Sequence, residues 1–575
     1  MRPWLANTAI VLAFALPRPA DAALAPEASA GGCAPAFSER NVARGLVMEA
    51  DCGLPPRIVQ RLVDESNRAV HRARLASNQR AAFARAANLM LAAIPPDGFA
   101  NAASVLAAFA AKARSRPDVD FSAVAGQWST RYRDLLRMTS VTRTSDPTEL
   151  DIDRAIGRLD LGTAAKLLAV QLTEPKVPPA LAAMRRYQAA IVEWLRFSPE
   201  RALGYAKAAH ALQPYDVDLA QTYADMLDDL HRFDQAEPIY DLLLVRYEAL
   251  AQDHPEFWRP RMAQLFGKLG RLYVALRAPK NAELAYLRAL GVYWGLARVD
   301  PIAYGPPVAA TFGDLGLLYR DMERPGDAIE VYREQLKLER ALALHDRTAY
   351  ESEIATTLND LGVLYEVLHR NDDASSAYIE ALAIQRRLAD DNPAVYRPML
   401  ARTLSNFGNL YSDMGKRHDA RVAYGEALQI RRKLAQESFT LNGADVARTL
   451  TNLGALYRVE GRSTQAQRVY GEALRIYRAL SRGAPGAYRL DEARALNNLG
   501  VLYSRTNRPR EAQSAYRRAV ALYELLPKAD AAAHRRDYAR VLGNLAQLYL
   551  QTGRPREADA AKRKASRMLE AAGEQ

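Results

Sequence analysis

One short pattern returns through the second half of this chain at an unvarying interval, and that regularity constrains the fold more than any other feature. The segment Leu-Gly-x-Leu-Tyr, with small variations, centres on Gly270, Gly316, Gly362, Gly408, Gly454, Gly500 and Ala546, each step being 46 residues. Three residues after the small residue stands Tyr273, Tyr319, Tyr365, Tyr411, Tyr457, Tyr503 or Tyr549. Further on comes Ala282, Ala328, Ala374, Ala420, Ala466, Ala512 or Ala558, and then Tyr286, Tyr332, Tyr378, Tyr424, Tyr470 or Tyr516. Self-similarity at a fixed period of this size is the signature of a repeat array.

Within each unit the apolar residues fall at helical spacing. Phe312, Leu315 and Tyr319 share one helix face, as do Leu358, Leu361 and Tyr365. Turn segments such as Arg324-Pro325-Gly326-Asp327 and Asn507-Arg508-Pro509-Arg510 divide the unit into two helices. The small residue admits the second helix closely, and the Ala and Tyr of that helix pack back on the first. One hairpin cannot bury such a face, so successive hairpins must stack.

The order apolar-x-x-Leu-Gly-x-x-Tyr, then Ala-x-x-x-Tyr, resembles the tetratricopeptide repeat (TPR). The long unit is similar to kinesin-light-chain-like and bacterial TPR arrays. The resemblance implies an all-α fold: a right-handed superhelical solenoid of about ten helix-turn-helix units, preceded here by a small helical N-terminal domain. The usual unit is about 34 residues, so the additional residues are expected to lengthen the second helix and add a linker. A row of aromatics, Trp258, Tyr304, Tyr350, Tyr396 and Tyr488, falls in that expected linker and reads as staples between repeats, with Pro260, Pro306 and Pro398 opening first helices. Upstream the pattern loosens through Ala224 and Ala236-x-x-x-Tyr240 to a degenerate hairpin around Gly162. The last unit carries Lys562 in place of the inner Tyr, as a terminal cap would.

The expected organisation is residues 1–22 as a signal peptide, 23–52 as a flexible leader and 53–145 as a helical domain. Degenerate and ordinary-length units follow over 149–250, long units over 251–535, and a capping repeat over 536–575. Arg2, the apolar stretch Leu5 to Leu16, Pro17 and Ala20-Asp21-Ala22 read as an export signal with its cleavage site, so the mature chain is expected in the periplasm or outside the cell. Cys33 and Cys52 are the two cysteines. In an oxidising compartment one disulfide between them is the expectation, worth about 3 kcal/mol in chain entropy; two independent thiols are the alternative.

No phosphate-cradling glycine loop, zinc helix motif or nucleophile elbow occurs. The histidines are scattered, with His369 and His418 in expected inter-helix turns. No catalytic residue, metal or cofactor is therefore expected.

A partner-binding face is expected on the first helices, which the TPR resemblance places along the concave groove. Arg402, Arg448, Arg494 and Arg540 recur six residues before the small residue, and Asn406, Asn452, Asn498 and Asn544 two before it. Each Arg and Asn are i and i+4, hence on one face. Asn matches a backbone amide and Arg offers a fork for a carboxylate. These slots also resemble those of the two-carboxylate clamp of co-chaperone TPR domains. Earlier units depart from it, with Asp314 and Asp360 at the Asn slot and Ala310 and Thr356 at the Arg slot. Asp445, Asp491 and Asp537 stand three residues before their arginines, which leaves plain helix-surface ion pairs as the competing reading.

The expected function is an exported scaffold binding extended or acidic segments of a partner protein. A component of an envelope assembly or export machinery is the alternative. The net charge of +12 is interleaved with acids rather than tracking a phosphate backbone, so nucleic acid is not the expected partner.

Overall fold

The computed structural model describes residues 36–37, 48–50, 55–73, 77–115, 121–141, 146–174, 177–437, 439–482, 486–527 and 534–573. The expected signal peptide and both Cys33 and Cys52 lie outside these residues. Ala36–Phe37 and Met48–Ala50 pair as two short antiparallel strands; the other described elements are helical. The chain divides into two compact units. One comprises Met1–Leu75, Gln79–Thr173 and Ile191–Ser198; the other comprises Ala76–Asn78, Glu174–Ala190 and Pro199–Gln575.

The first unit closes around aromatics. Phe83 stacks on Phe109 at 5.4 Å, and Phe121 meets Phe109 edge-on at 5.7 Å. Trp128 and Tyr132 stack at 5.2 Å. Burial of such residues demands partners for their polar tips. The Trp128 indole donates to the Leu195 carbonyl at 3.1 Å and the Tyr132 hydroxyl to that of Ile156 at 3.0 Å. The hairpin expected around Gly162 is formed by helices Pro147–Gly157 and Leu161–Gln171 and belongs to this unit.

In the second unit the repeats are helical hairpins. The Gly362 hairpin pairs Arg347–Val367 with Asn371–Asp391; the Gly408 hairpin pairs Pro393–Asp413 with Arg417–Glu437. In the units up to Gly454 the extra residues lengthen both helices and leave no separate linker, whereas connecting segments precede the helices that start at Arg489 and Arg535, with Tyr488 in the first of them. Tyr304, Tyr350 and Tyr396 consequently sit inside first helices, and Trp258 does pack on the preceding second helix, 5.1 Å from the Tyr247 ring. The helix openers are Pro255, Pro301 and Pro393, not Pro260, Pro306 and Pro398, which lie within the helices. An interior proline removes one hydrogen bond and crowds the preceding turn, and here it does so close to the helix start.

The small residue sets the hairpin. A Cβ placed on Gly362 would stand 2.5 Å from Tyr378 Cε1, and one on Gly270 2.3 Å from Tyr286 Cε1. Ala374, Ala420, Ala466 and Ala512 are fully buried beneath the same contact. The turn is equally regular. His231, Arg277, Glu323, His369, Asn507 and three glycines, Gly415, Gly461 and Gly553, occupy one register position with positive φ. The next residue donates its N–H to the tyrosine carbonyl five residues back, as Arg324 to Tyr319 and Arg370 to Tyr365, both at 2.8 Å. This is a helix-ending left-handed cap. His418 lies three residues beyond Gly415, in the first turn of its helix, against Arg421.

Between repeats, one second-helix position faces the seam in every long unit: Tyr293, Glu339, Gln385, Tyr477 and Tyr523 are buried there and Arg431 is half-buried. Three consecutive units thus replace a tyrosine by a polar chain. Glu339 accepts from Gln335 Nε2 at 2.8 Å and Thr357 Oγ1 at 2.9 Å; Arg431 donates to Thr449 Oγ1. Gln385 and Thr403, between them in register, have amide and hydroxyl atoms with no hydrogen-bond partner among the described residues.

Gly362→Ala is expected to destabilise the protein by about 1–3 kcal/mol in chemical unfolding. In a Tyr378→Leu background the same change should cost markedly less; an equal cost would place the strain elsewhere. Burial raises the Glu339 carboxyl to about 7, with the Gln335 and Thr357 bonds opposing. An acid raised on folding contributes stability below its unfolded pKa and loses it as pH climbs through the folded value. Wild type should therefore lose on the order of 2 kcal/mol relative to Glu339→Gln between about pH 4.5 and 7. A pH-independent difference would refute the assignment.

Candidate peptide-binding face

Successive first helices meet along one face, and their side chains there are bonded across the repeat boundary. The residue just after the small residue pairs with the residue two before the next small residue. Lys268 reaches Asp225 at 2.5 Å, Arg271 reaches Asp314 at 3.7 Å, and Asn452 Nδ2 donates to Asn409 Oδ1 at 3.0 Å. Where the earlier residue is apolar, as at Val363 and Val501, the asparagine turns to a neighbour instead. Asn406 Nδ2 donates to Asn359 Oδ1 at 3.0 Å and Asn544 Nδ2 to Asn497 Oδ1 at 2.9 Å. At Asn498 the facing positions are Ala455 and Thr451, whose hydroxyl is committed to the Ala447 carbonyl. Asn498 has no hydrogen-bond partner among the described residues.

The asparagine row is thus a file of half-buried amides. Three of its four members are oriented through their nitrogens, which leaves the Oδ1 atoms of Asn406, Asn452 and Asn544 as acceptors.

The arginine row behaves differently. All four side chains lie on exposed residues. Arg448 pairs with Asp445 of its own helix and stands 3.7 Å from Asp491 of the next. Arg494 reaches Asp537 of the next helix at 2.9 Å, and Arg540 reaches the same Asp537 at 2.8 Å. Arg402 makes no ion pair among the described residues, because Met399 occupies the position where its successors carry Asp. The Asp and Arg rows form an alternating ladder, and three of the four expected carboxylate forks are occupied by the protein's own carboxylates. Burial pushes Asp537 upward, and Arg494 and Arg540 outweigh it, holding the group below the usual carboxylate range.

Toward the N-terminal units the face carries acids. Burial raises both Asp314, despite Arg271, and Asp360, despite the amide of Asn359. The Thr356 hydroxyl is spent on the Ser352 carbonyl. Among the described residues no three His, Cys, Asp or Glu side chains converge as a metal set, and no helix is long and apolar enough to cross a membrane.

Family models described as tetratricopeptide repeat match residues 311–346, 353–433, 445–524 and 539–561. The chain is a TPR protein. No curated protein sequence matches it. Solved structures similar to it include BtubC (BKLC) from P. vanneervenii, 26% identical over 42% of this chain and 90% of that one, with a TM-score of 0.35. The apo form of RapI is 14% identical over 54% and 99%, with a TM-score of 0.40. Aspartyl phosphate phosphatase F from Bacillus subtilis is 14% identical over 69% and 96%, with a TM-score of 0.42.

A TPR array is a protein-interaction scaffold, and the first-helix face is where its repeated polar groups collect. Reading for identical residues at each repeat finds the Asn and Arg rows but misses the partners Asp225, Arg271 and Asn409, which differ from unit to unit. The missed signal is complementarity: each forms a matched pair with the residue 43 positions later.

Asp537→Asn leaves Arg494 and Arg540 without their carboxylate. These pairs are largely solvated, so the expected loss in thermal unfolding is no more than about 1 kcal/mol, shrinking in high salt. A larger, salt-insensitive loss would mark the ladder as a main source of array stability.

Proposed function

We propose that this TPR protein is an exported, non-catalytic scaffold that holds an extended segment of a partner protein along its first-helix face. The file of asparagine amides supports this reading most directly. The nitrogens of Asn406, Asn452 and Asn544 are fixed by inter-repeat bonds while their oxygens stay available at one register position. An extended backbone presents N–H groups that such acceptors complement. Arg402, the arginine outside the Asp ladder, adds an exposed cation at the middle of the array. Acidic segments suit that cation and the positive net charge, while the acids at Asp314 and Asp360 suit a different stretch of the same partner. Nucleic acid fits poorly, since Asp445, Asp491 and Asp537 line the face where a phosphate backbone would run. The N-terminal residues support export to the periplasm or beyond, where an envelope assembly or export machinery would supply the partner.

Photo-crosslinking tests the reading. A photoreactive residue placed at Arg402 or Asn498, both on the first-helix face, should trap a polypeptide from the cell-envelope fraction. The same residue at the exposed second-helix position Arg468 should not. Equal trapping from both faces, or trapping from Arg468 alone, would move binding off the first helices. Mass spectrometry of the mature protein checks export: cleavage after Ala22 is expected, and an intact N-terminus would remove that part.

A further inference from the structure

The first unit contains a helix with a sharply divided surface. Helix Pro56–Ala73 buries Leu62, Ser66, Ala69, Val70 and Ala73 and packs on helix Phe99–Ser115 of the same unit. Its opposite side carries Arg57, Arg61, Asp64, Arg68, His71 and Arg72, all exposed. The two acids of this helix are committed toward its start. Asp64 accepts from Gln60 Nε2 at 2.8 Å, and Glu65 holds Arg61 at 2.9 Å. No carboxylate is left for the last turn, and Arg68 and Arg72 make no ion pair among the described residues. Arg72 Nε donates to the Arg68 carbonyl at 3.4 Å, which leaves its terminal nitrogens as donors.

Arg68, His71 and Arg72 stand at i, i+3 and i+4 and so share one face. With Glu65, Asn67 and the half-buried Ala107 of helix Phe99–Ser115 they line an open cleft of about 710 Å³. The helix dipole favours cations in a last turn, and on a convex surface that would account for them in full. It does not account for their gathering on the rim of a concave surface with an alanine methyl in its wall. A low-dielectric wall concentrates the field of such charges on whatever enters. The one carboxylate on the rim, Glu65, is already neutralised by Arg61. A ligand here displaces no internal partner of the two guanidinium groups, in contrast to the Asp and Arg ladder of the repeats.

We propose that Arg68, His71 and Arg72 bind a phosphate ester, either a soluble one or the headgroup of an anionic lipid. A carboxylate needs a single planar fork. Two unpaired forks one turn apart, with a ring nitrogen between them, suit an anion with three or more oxygens. Ala107 and the arginine methylenes receive the carbon side of the ester. The site gives the N-terminal unit a ligand of its own, independent of any peptide on the first-helix face.

The test uses the full-length protein. It is titrated with glycerol 3-phosphate by calorimetry and floated with vesicles of equimolar phosphatidylglycerol and phosphatidylcholine, or of phosphatidylcholine alone. Binding of glycerol 3-phosphate identifies a soluble ester as the source; flotation with the anionic vesicles alone identifies the lipid headgroup. Arg68→Gln/Arg72→Gln should weaken whichever binding occurs by about thirtyfold. Arg68→Lys/Arg72→Lys keeps the charge but loses the forks and should weaken it by about tenfold. Both pairs lie on the exposed face, so thermal unfolding should not change. Arg468→Gln/Arg475→Gln, the same charge change on exposed second-helix residues, should leave binding within about twofold. Equal binding by wild type and the Arg68→Gln/Arg72→Gln variant overturns the site. Full binding by the lysine pair, or an equal loss in Arg468→Gln/Arg475→Gln, overturns it too, because either reduces the effect to diffuse charge. Failure of wild type to bind both the ester and the anionic vesicles also overturns it.

Discussion

Everything in the array depends on a tyrosine ring lying against a bare glycine. The ring leaves no room for a Cβ, so it fixes how closely the two helices of a hairpin approach. It also delivers its hydroxyl to the far side of the first helix, beside the positions that join one unit to the next. A single packing contact thereby sets both the interior and the polar register of the exposed face. Close-packed interiors transmit such constraints because they cannot yield by fractions of an ångström without cost.

The first-helix face that results is largely satisfied by itself. Amides bond to amides and arginines to aspartates across each boundary, which adds lateral stitching to the apolar stack. Similar stitching runs along the second helices, where Arg340 reaches Glu380, Arg386 reaches Glu426 and Arg432 reaches Glu472 at 2.6, 2.9 and 2.6 Å. Each solvated pair is individually weak. What they do for binding is selective: a ligand gains little where it must displace an internal partner and most where none exists. The informative residues are then the exceptions to the repeat, such as Arg402 and Asn498.

The hairpins were legible in the sequence because period, small residue and packing tyrosine express one physical requirement repeated in every unit. The rows Arg402/Arg448/Arg494/Arg540 and Asn406/Asn452/Asn498/Asn544 were legible for the same reason. Their bonding was only half legible. The i, i+3 relation of Asp445 to Arg448 is local and can be read along one helix, whereas Arg494 to Asp537 requires knowing which helices adjoin. The helix openers were misread because a proline one turn inside a helix carries the same local signal as one at its start.

The polar series Glu339, Gln385 and Arg431 has a mechanical consequence. In a stack where each repeat touches only its neighbours, strength is distributed interface by interface. Tyrosines at this position fill the seam with a rigid ring at either end of the long array. The middle seams rely instead on a carboxyl, an amide with unmet bonds and a guanidinium. A molecule pulled or bent from its two ends is expected to flex first at this middle, with the flanking blocks moving as stiffer arms. The array is then less a uniform spring than two rods joined by a softer elbow, and that elbow adjoins the stretch of first helices where the face passes from acids to arginines.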